Sequence, residues 1–391
     1  MDAMIDTDAV AEAIAHSHAE GGRAADAYVR RSGVRVYDGR RRARGAATNR
    51  TGRFERFERT PVEEVPALDD TGGTRALKTE VQVEHARTII SRNASPDLSF
   101  DRSINPYRGC EHGCVYCYAR PAHAYVGLSA GLDFEQKLFA KEGAADVLRR
   151  ELTAKGYEAR TIALGANTDP YQPIEAERRI TRGILEVLEE AGHPVGIVTK
   201  GTLVERDIDI LKRMAERDLV KVGISITTLD PKLSRAMEPR APAPERRLET
   251  IRKLSEAGIP VVAMVAPIIP GLTDFEVERI LEAAKAAGAS EAGYVMLRLP
   301  REVSGLFKDW LLRHAPDRYR HVLSLLRSMR GGKDYDSDFG SRQTGMGPYA
   351  WQIGRRLEIA TKRLGLNIAR KVLDDRQFQP PRRDTAQLAL I

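Results

Sequence analysis

The sequence predicts an α/β fold in which a parallel sheet, curved into an open partial barrel, is covered by helices. Between residue 133 and Pro300, short apolar runs rich in β-branched residues alternate with amphipathic stretches at helical spacing. The runs are apolar on successive residues, as in strands that are buried on both faces. About six such units are present, which is too few for a closed eight-fold barrel, so we expect an open (βα)6 arrangement.

The predicted strands follow one another at regular intervals, at residues 134–141, 161–166, 194–200, 220–228, 260–269 and 292–299. The helices between them are predicted at 144–155, 178–191, 204–217, 244–257 and 274–287. Four of these helices end at a glycine, the residue that most readily adopts the left-handed backbone of a helix C-terminus: Gly156, Gly192, Gly258 and Gly288. In parallel α/β folds the chemistry takes place at the carboxyl ends of the strands, and we expect the functional residues there.

The segment before the barrel differs in composition. Residues 1–80 are rich in Arg, Gly, Ala, Thr and Asp and lack a sustained period, which predicts a flexible basic arm with a short helix near 9–15. The core is assigned to 81–300. Two β-prone pieces at 87–92 and 98–105 lead into a cysteine-containing loop.

The rhythm of strand and helix stops after Pro300. Three further helices and a glycine-rich loop predict a helical extension over 301–365, with the helices at 302–314, 317–329 and 348–364 and the loop at 330–347. Residues 366–391 are predicted to be a tail.

Composition places the chain among globular proteins. Hydrophobic residues make up 42% and charged residues 30%, and no apolar run has the length of a membrane span. Residues 1–31 lack the apolar core of a secretory signal, which predicts a cytoplasmic protein without membrane association. Its thiols should therefore stay reduced, and an odd number of cysteines also argues against a structural disulfide.

The net charge of +7 is unevenly distributed. Eight arginines and three acidic residues lie between Asp38 and Arg59. Such a cluster has two interpretations: it binds a polyanion such as nucleic acid, or it is a solvated arm.

The three cysteines of the chain, Cys110, Cys114 and Cys117, lie within eight residues of one another. A glycine precedes each of the first two, which allows the loop to turn tightly and bring three sulfurs to one centre. Soft thiolates select zinc, copper(I) or an iron–sulfur cluster. Three protein ligands leave one position open for another molecule. A zinc site completed by His112 or His123 is the alternative.

This spacing, with Tyr116 just before the third cysteine, resembles the signature of the radical S-adenosylmethionine (SAM) superfamily over roughly residues 98–300. The resemblance implies a partial (βα)6 barrel, in agreement with the strand count, and a [4Fe-4S] cluster whose open iron is chelated by SAM. It also implies that an electron, from a donor such as flavodoxin or ferredoxin, cleaves SAM to a 5′-deoxyadenosyl radical that abstracts hydrogen from a substrate.

Within the superfamily the sequence is most similar to spore photoproduct lyase and to DNA repair photolyase-like bacterial proteins. The segments that carry this likeness are 103–121, 164–175, 198–201, 225–228 and 237–249.

The same likeness implies which residues bind SAM. Thr168 and Asp169 would hold the methionine amino group, and Lys200 would meet the methionine carboxylate, since an ammonium suits that charge. Ser225 would donate a hydrogen bond to SAM, and Tyr116 would lie near the adenine. The alternative for Asp169, Lys200 and Ser225 is a structural role in a turn or at a strand end.

One position departs from the lyase pattern. Where spore photoproduct lyase has a cysteine that returns a hydrogen atom to its product, this chain has Ala166. Three tyrosines could take part in a radical relay instead, with Tyr118 as the candidate catalytic residue and Tyr107 and Tyr171 as further candidates. Packing or hydrogen bonding is the alternative for each.

Two basic segments have open interpretations. Arg240, Arg246 and Arg247 follow the predicted strand at 220–228 and either face a phosphate-bearing substrate or form ion pairs with nearby glutamates. Residues 340–356 combine arginines, aromatic residues and glycines. They could form a lid or a nucleic-acid surface, or a helix that packs Trp351 and Ile353 on the barrel.

These observations predict a radical SAM enzyme, with nucleic acid as the first candidate substrate and lesion repair or base modification by a lyase-like reaction as its activity. One alternative is a radical SAM enzyme that acts on a protein or small metabolite. The other is a non-enzymatic iron–sulfur or zinc protein that senses redox state or binds nucleic acid.

Overall fold

The computed structural model describes residues 43–55 and 77–381. The short helix predicted near 9–15 lies outside the described residues, and so do five of the eight arginines of the basic cluster. No helix of the described ranges is both long and apolar enough to cross a membrane.

The strands of the described chain form a seven-stranded sheet and a separate three-stranded sheet. In chain order they are β1 (Glu80–Val83), β2 (Ile90–Arg92), β3 (Arg102–Ile104), β4 (Tyr107–Arg108), β5 (Lys137–Ala140), β6 (Ile162–Leu164), β7 (Val195–Thr199), β8 (Val220–Ser225), β9 (Val261–Ile268) and β10 (Glu291–Met296). The large sheet has the order β10-β9-β8-β7-β6-β3-β2.

The helices of the described chain include two single turns, α1 (Asp133–Gln136) and α3 (Glu175–Arg178). The longer helices are α2 (Ala144–Leu152), α4 (Ile180–Glu190), α5 (Ile208–Glu216), α6 (Pro231–Met237), α7 (Pro244–Glu256), α8 (Val277–Ala286), α9 (Glu302–His314), α10 (Tyr319–Ser328) and α11 (Gly347–Arg363). Between them lie 3-10 segments at Arg120–Val126, Thr202–Asp207, Asp274–Glu276 and Pro316–Arg318.

The prediction of a parallel sheet built from six βα units is confirmed. Strands β3, β6, β7, β8, β9 and β10 are parallel neighbours, and only β2, at one edge, runs antiparallel to β3. Since β2 and β10 stand at opposite ends of the order and do not pair, the sheet is an open partial barrel rather than a closed one.

The position of the first barrel strand was predicted wrongly. Residues 134–141 do not enter the barrel, because they begin with the helical turn α1 and continue as β5, which pairs with β1 and β4. The first parallel strand is β3, one of the two β-prone pieces before the cysteines. The cysteine loop therefore leaves the carboxyl end of a barrel strand, the edge at which α/β proteins place their chemistry.

The central strands are not equally buried on their two sides. Along β7 and β9, fully buried residues alternate with half-buried or exposed ones. Val195 and Ile197 pack into the main apolar core, whereas Val198 and Met264 line a cavity inside the partial barrel. The strands are apolar on successive residues because one side meets the helices and the other faces this cavity.

The helical extension and part of the predicted tail pack against the barrel. Trp310 of α9 is fully buried and donates from Nε1 to the carbonyl of Ala236 at 2.9 Å. Phe378, in the segment predicted to be a tail, packs on the rings of Tyr157 and His193. The structure thus continues with packed side chains beyond residue 365, because the tail carries an aromatic side chain that fills a site beside α4.

Residues 43–55 belong to the segment predicted to be a flexible arm, yet they pack against the cysteine loop. Ala46 and Ala47 are each 1% exposed, and the backbone N–H groups of Gly45 and Ala46 donate to the buried carboxylate of Glu135 at 2.8 and 2.7 Å. Composition alone could not reveal this, because the partner carboxylate lies about ninety residues away in the sequence.

Gly45 approaches the cysteine loop too closely for any side chain. A Cβ at this position would lie 2.0 Å from the carbonyl oxygen of Gly113, which is backbone and cannot move aside. We expect Gly45→Ala to lower the free energy of unfolding by about 1–3 kcal/mol, the usual cost of overpacking, as measured by denaturant titration.

The matched control is Gly183→Ala in α4, where the new Cβ would meet Ala145 at an ordinary 3.5 Å. This change should be neutral or should stabilise the helix by about 0.5–1 kcal/mol. Equal stability losses for the two variants would contradict the described packing of residues 43–55.

Candidate active site

A cavity of about 550 Å³ opens at the carboxyl ends of the barrel strands. Each of the six parallel strands, or the loop directly after it, contributes to its wall, for example through Ser103, Leu164, Val198, Ser225, Met264 and Met296. The wall is mostly apolar with a few convergent polar groups, as is usual for small-molecule and cofactor sites.

Cys110, Cys114 and Cys117 all line this cavity. The loop turns through left-handed glycines at Gly109 (φ 75°) and Gly113 (φ 67°), where an L side chain would be strained. Cys110 and Cys114 are 7% and 8% exposed, and Cys117 is somewhat more open. The three cysteines thus line the same cavity, and their binding of one common centre stays a prediction.

A buried carboxylate and a buried guanidinium hold the loop in place. Glu135 accepts a hydrogen bond from Arg120 Nη2 at 2.6 Å, and both side chains are fully buried. Arg120 also donates to the carbonyls of Cys114 and Gly113, at 2.9 and 3.2 Å. The irregular backbone between the cysteines therefore has side-chain partners in place of a regular ladder.

The donor set fits an iron–sulfur cluster. Burial raises the pKa of all three thiols, that of Cys114 to about 12, so thiolates at this site need a positively charged partner such as iron. The two histidines considered for a zinc site have other partners: His112 Nδ1 lies 3.2 Å from the Asp169 carboxylate, and His123 Nε2 lies 2.9 Å from the Lys137 carbonyl. Within residues 43–55 and 77–381, no three His, Cys, Asp or Glu side chains are arranged to hold a single metal ion.

Asp169 lies at the cavity and organises the loop after β6. Its carboxylate accepts hydrogen bonds from Thr199 Oγ1 at 2.5 Å and from the backbone N–H groups of Lys200 and Tyr171 at 2.8 and 2.9 Å. Burial by itself would raise the pKa of this carboxyl, but the charge of His112 and these hydrogen bonds lower it to about 2. Asp169 is thus an ionised residue that stabilises a turn and also faces the cavity. This position is compatible with both the structural role and the SAM-binding role considered for it.

Thr168 connects the β6 loop to the cysteine loop. Its hydroxyl donates to the carbonyl of Gly109 at 2.7 Å and accepts from Gln172 Nε2 at 3.1 Å. Gln172 Oε1 in turn accepts from the backbone N–H of Glu111 at 2.9 Å. Sequence analysis missed Gln172, although it lies in the segment 164–175 that carries the family likeness.

Tyr116 belongs to a buried network at the base of the cavity. Its hydroxyl donates to the Glu238 carboxylate and lies 3.0 Å from Thr227 Oγ1. Glu238 forms an ion pair with Arg247, and both side chains are at most 1% exposed. Of the two interpretations of Arg247, the ion pair with a nearby glutamate is therefore the one that the structure has, and Arg247 does not face a substrate.

Arg240 also has an acidic partner, since its Nη1 lies 2.9 Å from Glu111 Oε1. Arg247 additionally donates to the carbonyl of Ser225 at 3.1 Å, at the end of β8. The buried pair thus positions Ser225, which is 4% exposed and lines the cavity.

Lys200 and Tyr118 lie on the cavity wall. Lys200 Nζ is 5.8 Å from the centre of the Tyr116 ring. The hydroxyl of Tyr118 donates to the carbonyl of Ala166, the position at which the sequence departs from the lyase pattern, and the ring is 47% exposed. Tyr107 and Tyr171 are both 1% exposed, and neither is among the residues that line the cavity.

The segment 340–356 includes a helix that packs on the barrel, but the prediction that Trp351 packs there is wrong. Ile353 is buried in the main core, as expected of a helix that packs on the barrel, but Trp351 is 70% exposed. Arg342 and Gln343, just before α11, line the cavity.

Comparison with known proteins identifies the class. Residues 104–284 match the family model described as the radical SAM superfamily. An uncharacterised protein of Mycobacterium tuberculosis is 39% identical over 278 residues, which is 67% of this chain and 81% of that protein. An uncharacterised protein of Methanocaldococcus jannaschii is 31% identical over 246 residues, which is 63% of this chain and 87% of that protein.

Solved structures share the fold. Spore photoproduct lyase complexed with dinucleoside spore photoproduct aligns with a TM-score of 0.54 and 16% identity, covering 78% of this chain and 86% of that one. Among sequence relatives, a radical SAM Nalpha-GlyT isomerase of Pseudomonas phage M6 is 25% identical over 249 residues, which is 61% of this chain and 48% of that protein.

The chain belongs to the radical SAM superfamily and has its fold. It is an enzyme of that family, whose cofactors are a [4Fe-4S] cluster and SAM, and which depends on an external reductant.

The buried pair of Glu238 and Arg247 yields a stability prediction. Glu238→Ala would leave the Arg247 guanidinium buried without its counter-charge and should lower the free energy of unfolding by about 3–5 kcal/mol. The matched control is Glu249→Ala, which breaks the exposed pair of Glu249 and Arg252 and should cost about 0–1 kcal/mol. Denaturant titration of both variants measures the difference, and similar costs would contradict the burial of the pair.

Proposed function

We propose that Cys110, Cys114 and Cys117 hold the [4Fe-4S] cluster, that SAM binds beside it in the barrel cavity, and that the substrate is a nucleic acid. The observation that supports this most directly is that three buried thiols of one loop share a cavity with the carboxyl ends of six parallel strands. When bound, the reduced cluster supplies the electron that cleaves SAM to a 5′-deoxyadenosyl radical.

The side chains around the cavity have distinct roles in this proposal. Lys200 offers an ammonium to the SAM carboxylate, and Ser225 offers a hydroxyl, both from strand ends. Asp169 and Thr168 fix the loop after β6 through the hydrogen bonds described above and present the cavity with an ionised carboxylate for the SAM amino group. Tyr116, held by Glu238, gives this wall an aromatic surface for the adenine.

Tyr118 is proposed to return hydrogen to the substrate radical. Its phenol reaches the backbone at Ala166, so it stands where the related lyase carries a cysteine, and its ring faces the cavity. A phenol is protonated at neutral pH, since its ordinary pKa is about 10, and it can give up a hydrogen atom.

A nucleic acid substrate is supported by the relatives and by charge. One structural neighbour is a lyase bound to dinucleoside spore photoproduct, and the chain carries a net charge of +7. A base within a duplex would have to leave the stack to reach a cavity of this depth. Lesion repair or base modification of a lyase or isomerase type fits these features.

A protein or small-metabolite substrate is the second candidate. The observation that favours it is Ala166, since the absence of a cysteine at this position indicates a reaction different from that of the lyase.

The cluster proposal predicts that each of Cys110→Ala, Cys114→Ala and Cys117→Ala loses the cluster after anaerobic loading with iron and sulfide. Two thiolates cannot hold a cubane that three thiolates bind. Iron analysis and visible absorption measure the loss, and 5′-deoxyadenosine formation with dithionite and SAM should stop. The matched control Tyr118→Phe should keep about four irons per chain. Zinc in place of iron in the wild-type protein would contradict the proposal.

The substrate proposal predicts that uniformly deuterated nucleic acid passes deuterium to 5′-deoxyadenosine. The loaded enzyme is incubated with deuterated DNA, ultraviolet-irradiated DNA or RNA, and in separate arms with deuterated peptide and metabolite extracts. Mass spectrometry should find the label only in a nucleic-acid arm. Label from the peptide or metabolite arm alone would favour the second candidate.

The same assay tests Tyr118. Tyr118→Phe should still transfer deuterium to 5′-deoxyadenosine but should turn over slowly, because the substrate radical lacks its hydrogen donor. Unchanged product formation would assign Tyr118 a packing role.

A further inference from the structure

Arg298 lies on the cavity wall just after β10 and lacks a carboxylate partner among the residues that the structure describes. Its guanidinium carbon lies 5.1 Å from the centre of the Tyr118 ring. The Nε atom is buried and has no hydrogen-bond partner within the described chain. Leaving a buried donor of a charged group unpaired costs free energy, so an added hydrogen-bond acceptor at Arg298 would be stabilising.

The two terminal nitrogens of Arg298 have only long hydrogen bonds. Nη1 lies 3.5 Å from Gln343 Oε1, and Nη2 lies 3.3 Å from the Tyr335 hydroxyl. Both distances exceed the usual range for an N–H···O hydrogen bond, about 2.7–3.2 Å. Nε is therefore unpaired, and the two terminal nitrogens have only long hydrogen bonds that a stronger acceptor could replace.

Other arginines around the cavity are neutralised. Arg342 forms a two-point ion pair with Asp97, at 2.6 and 2.7 Å. Arg120 and Arg247 pair with Glu135 and Glu238. Arg298 thus differs from Arg342, Arg120 and Arg247 in having no carboxylate partner among the described residues.

A second buried arginine adds to the positive potential. Arg330 is 1% exposed and donates to the carbonyls of Ser341 and Leu297, at 2.8 and 3.2 Å, but to no carboxylate of the described residues. Burial lowers the pKa of Arg330, and so does the charge of Arg298. Arg330 is not among the residues that line the cavity, and its charge adds to the positive potential at Arg298.

The glycine-rich loop at 330–347 completes this wall. The carbonyl of Gln343 accepts from the backbone N–H of Met296 at 2.8 Å, which fastens the loop to the end of β10. Gln343 and Arg298 therefore line the cavity side by side, although 45 positions separate them in the sequence.

We propose that Arg298 binds a phosphate group of the substrate. This inference rests on the proposed function and narrows its substrate class to a molecule with a nucleotide phosphate. The planar fork of an arginine matches phosphate oxygens in pairs, and the cation–π contact with the Tyr118 ring keeps the guanidinium at the cavity wall. The SAM carboxylate is assigned to Lys200 instead, whose Nζ lies over the ring of Tyr116.

The position of Arg298 also explains how a nucleotide would be oriented. Tyr118 contacts Arg298 through its ring and Ala166 through its hydroxyl. A phosphate at Arg298 therefore anchors the substrate beside the proposed hydrogen donor. Phe100 and Asn167, which also line the cavity, offer an apolar surface and an amide to a base.

The test measures binding of a labelled oligothymidylate of about ten nucleotides to the anaerobically loaded enzyme with SAM, by fluorescence anisotropy. Arg298→Gln should weaken binding on the order of 10- to 100-fold, the range for losing a charge-assisted contact. The slope of log K against log salt should fall by about 0.7. Arg298→Lys should show an intermediate loss. The matched control Arg252→Gln removes an equal charge from α7, away from the cavity, and should bind like wild type.

Two further arms need no variant. An uncharged methylphosphonate oligothymidylate of equal length should bind the wild-type enzyme more weakly than the phosphodiester strand. Thymidine 5′-monophosphate should compete with the strand if Arg298 takes a terminal phosphate, and should fail to compete if it takes a phosphodiester. Equal binding of charged and uncharged strands, or equal affinities of Arg298→Gln and Arg252→Gln, overturns the inference.

Measuring 5′-deoxyadenosine from the wild-type enzyme in the same preparations separates the two proposals. SAM cleavage together with no effect of Arg298→Gln refutes the phosphate site alone. A loaded wild-type enzyme that does not cleave SAM refutes the proposed function, whatever the oligonucleotide does.

Discussion

The structure around the cavity depends on one constraint: the cysteine loop is buried but has no regular secondary structure, so its backbone polar groups need side-chain partners. Arg120 and Glu135 meet this need from one side, through a fully buried ion pair that also binds the carbonyls of Gly113 and Cys114. Thr168 and Gln172 meet it from the barrel by binding the carbonyl of Gly109. Side chains from outside the loop thereby fix its backbone, and the thiol groups are not needed for this.

The same constraint connects distant parts of the chain. Glu135 accepts hydrogen bonds from residues 45 and 46 and from Arg120 at once, so the N-terminal segment, the loop and α1 are positioned by a single carboxylate. On the opposite side of the cavity, Glu238 joins Tyr116 to Arg247 and, through Arg247, to the end of β8. The counter-charge stabilises each buried ion of these pairs, because an unpaired ion in a low-dielectric interior is strongly unfavourable.

That rule makes the exceptions informative. Within the part of the chain that the structure describes, Lys200 and Arg298 are cavity cations without a carboxylate in ion-pair contact, and each lies over a tyrosine ring. Two separate positive sites in one cavity suit two anionic ligands, and the proposals assign the SAM carboxylate to one and a substrate phosphate to the other. The paired arginines nearby serve the fold instead.

The amino-acid sequence by itself determined the class of fold, since six apolar runs alternating with amphipathic helices have few solutions other than a parallel sheet, and since three cysteines in eight residues form one site wherever the loop lies. It also placed Thr168, Asp169, Lys200 and Ser225 at strand ends, where the cavity gathers them. Only the tertiary structure decided which strand comes first in the barrel, because residues 134–141 have a strand pattern that suits either sheet. It alone showed that Arg247 is paired and Arg298 is not, because the charge balance of a side chain depends on partners far away in the sequence, and local composition carries no record of them.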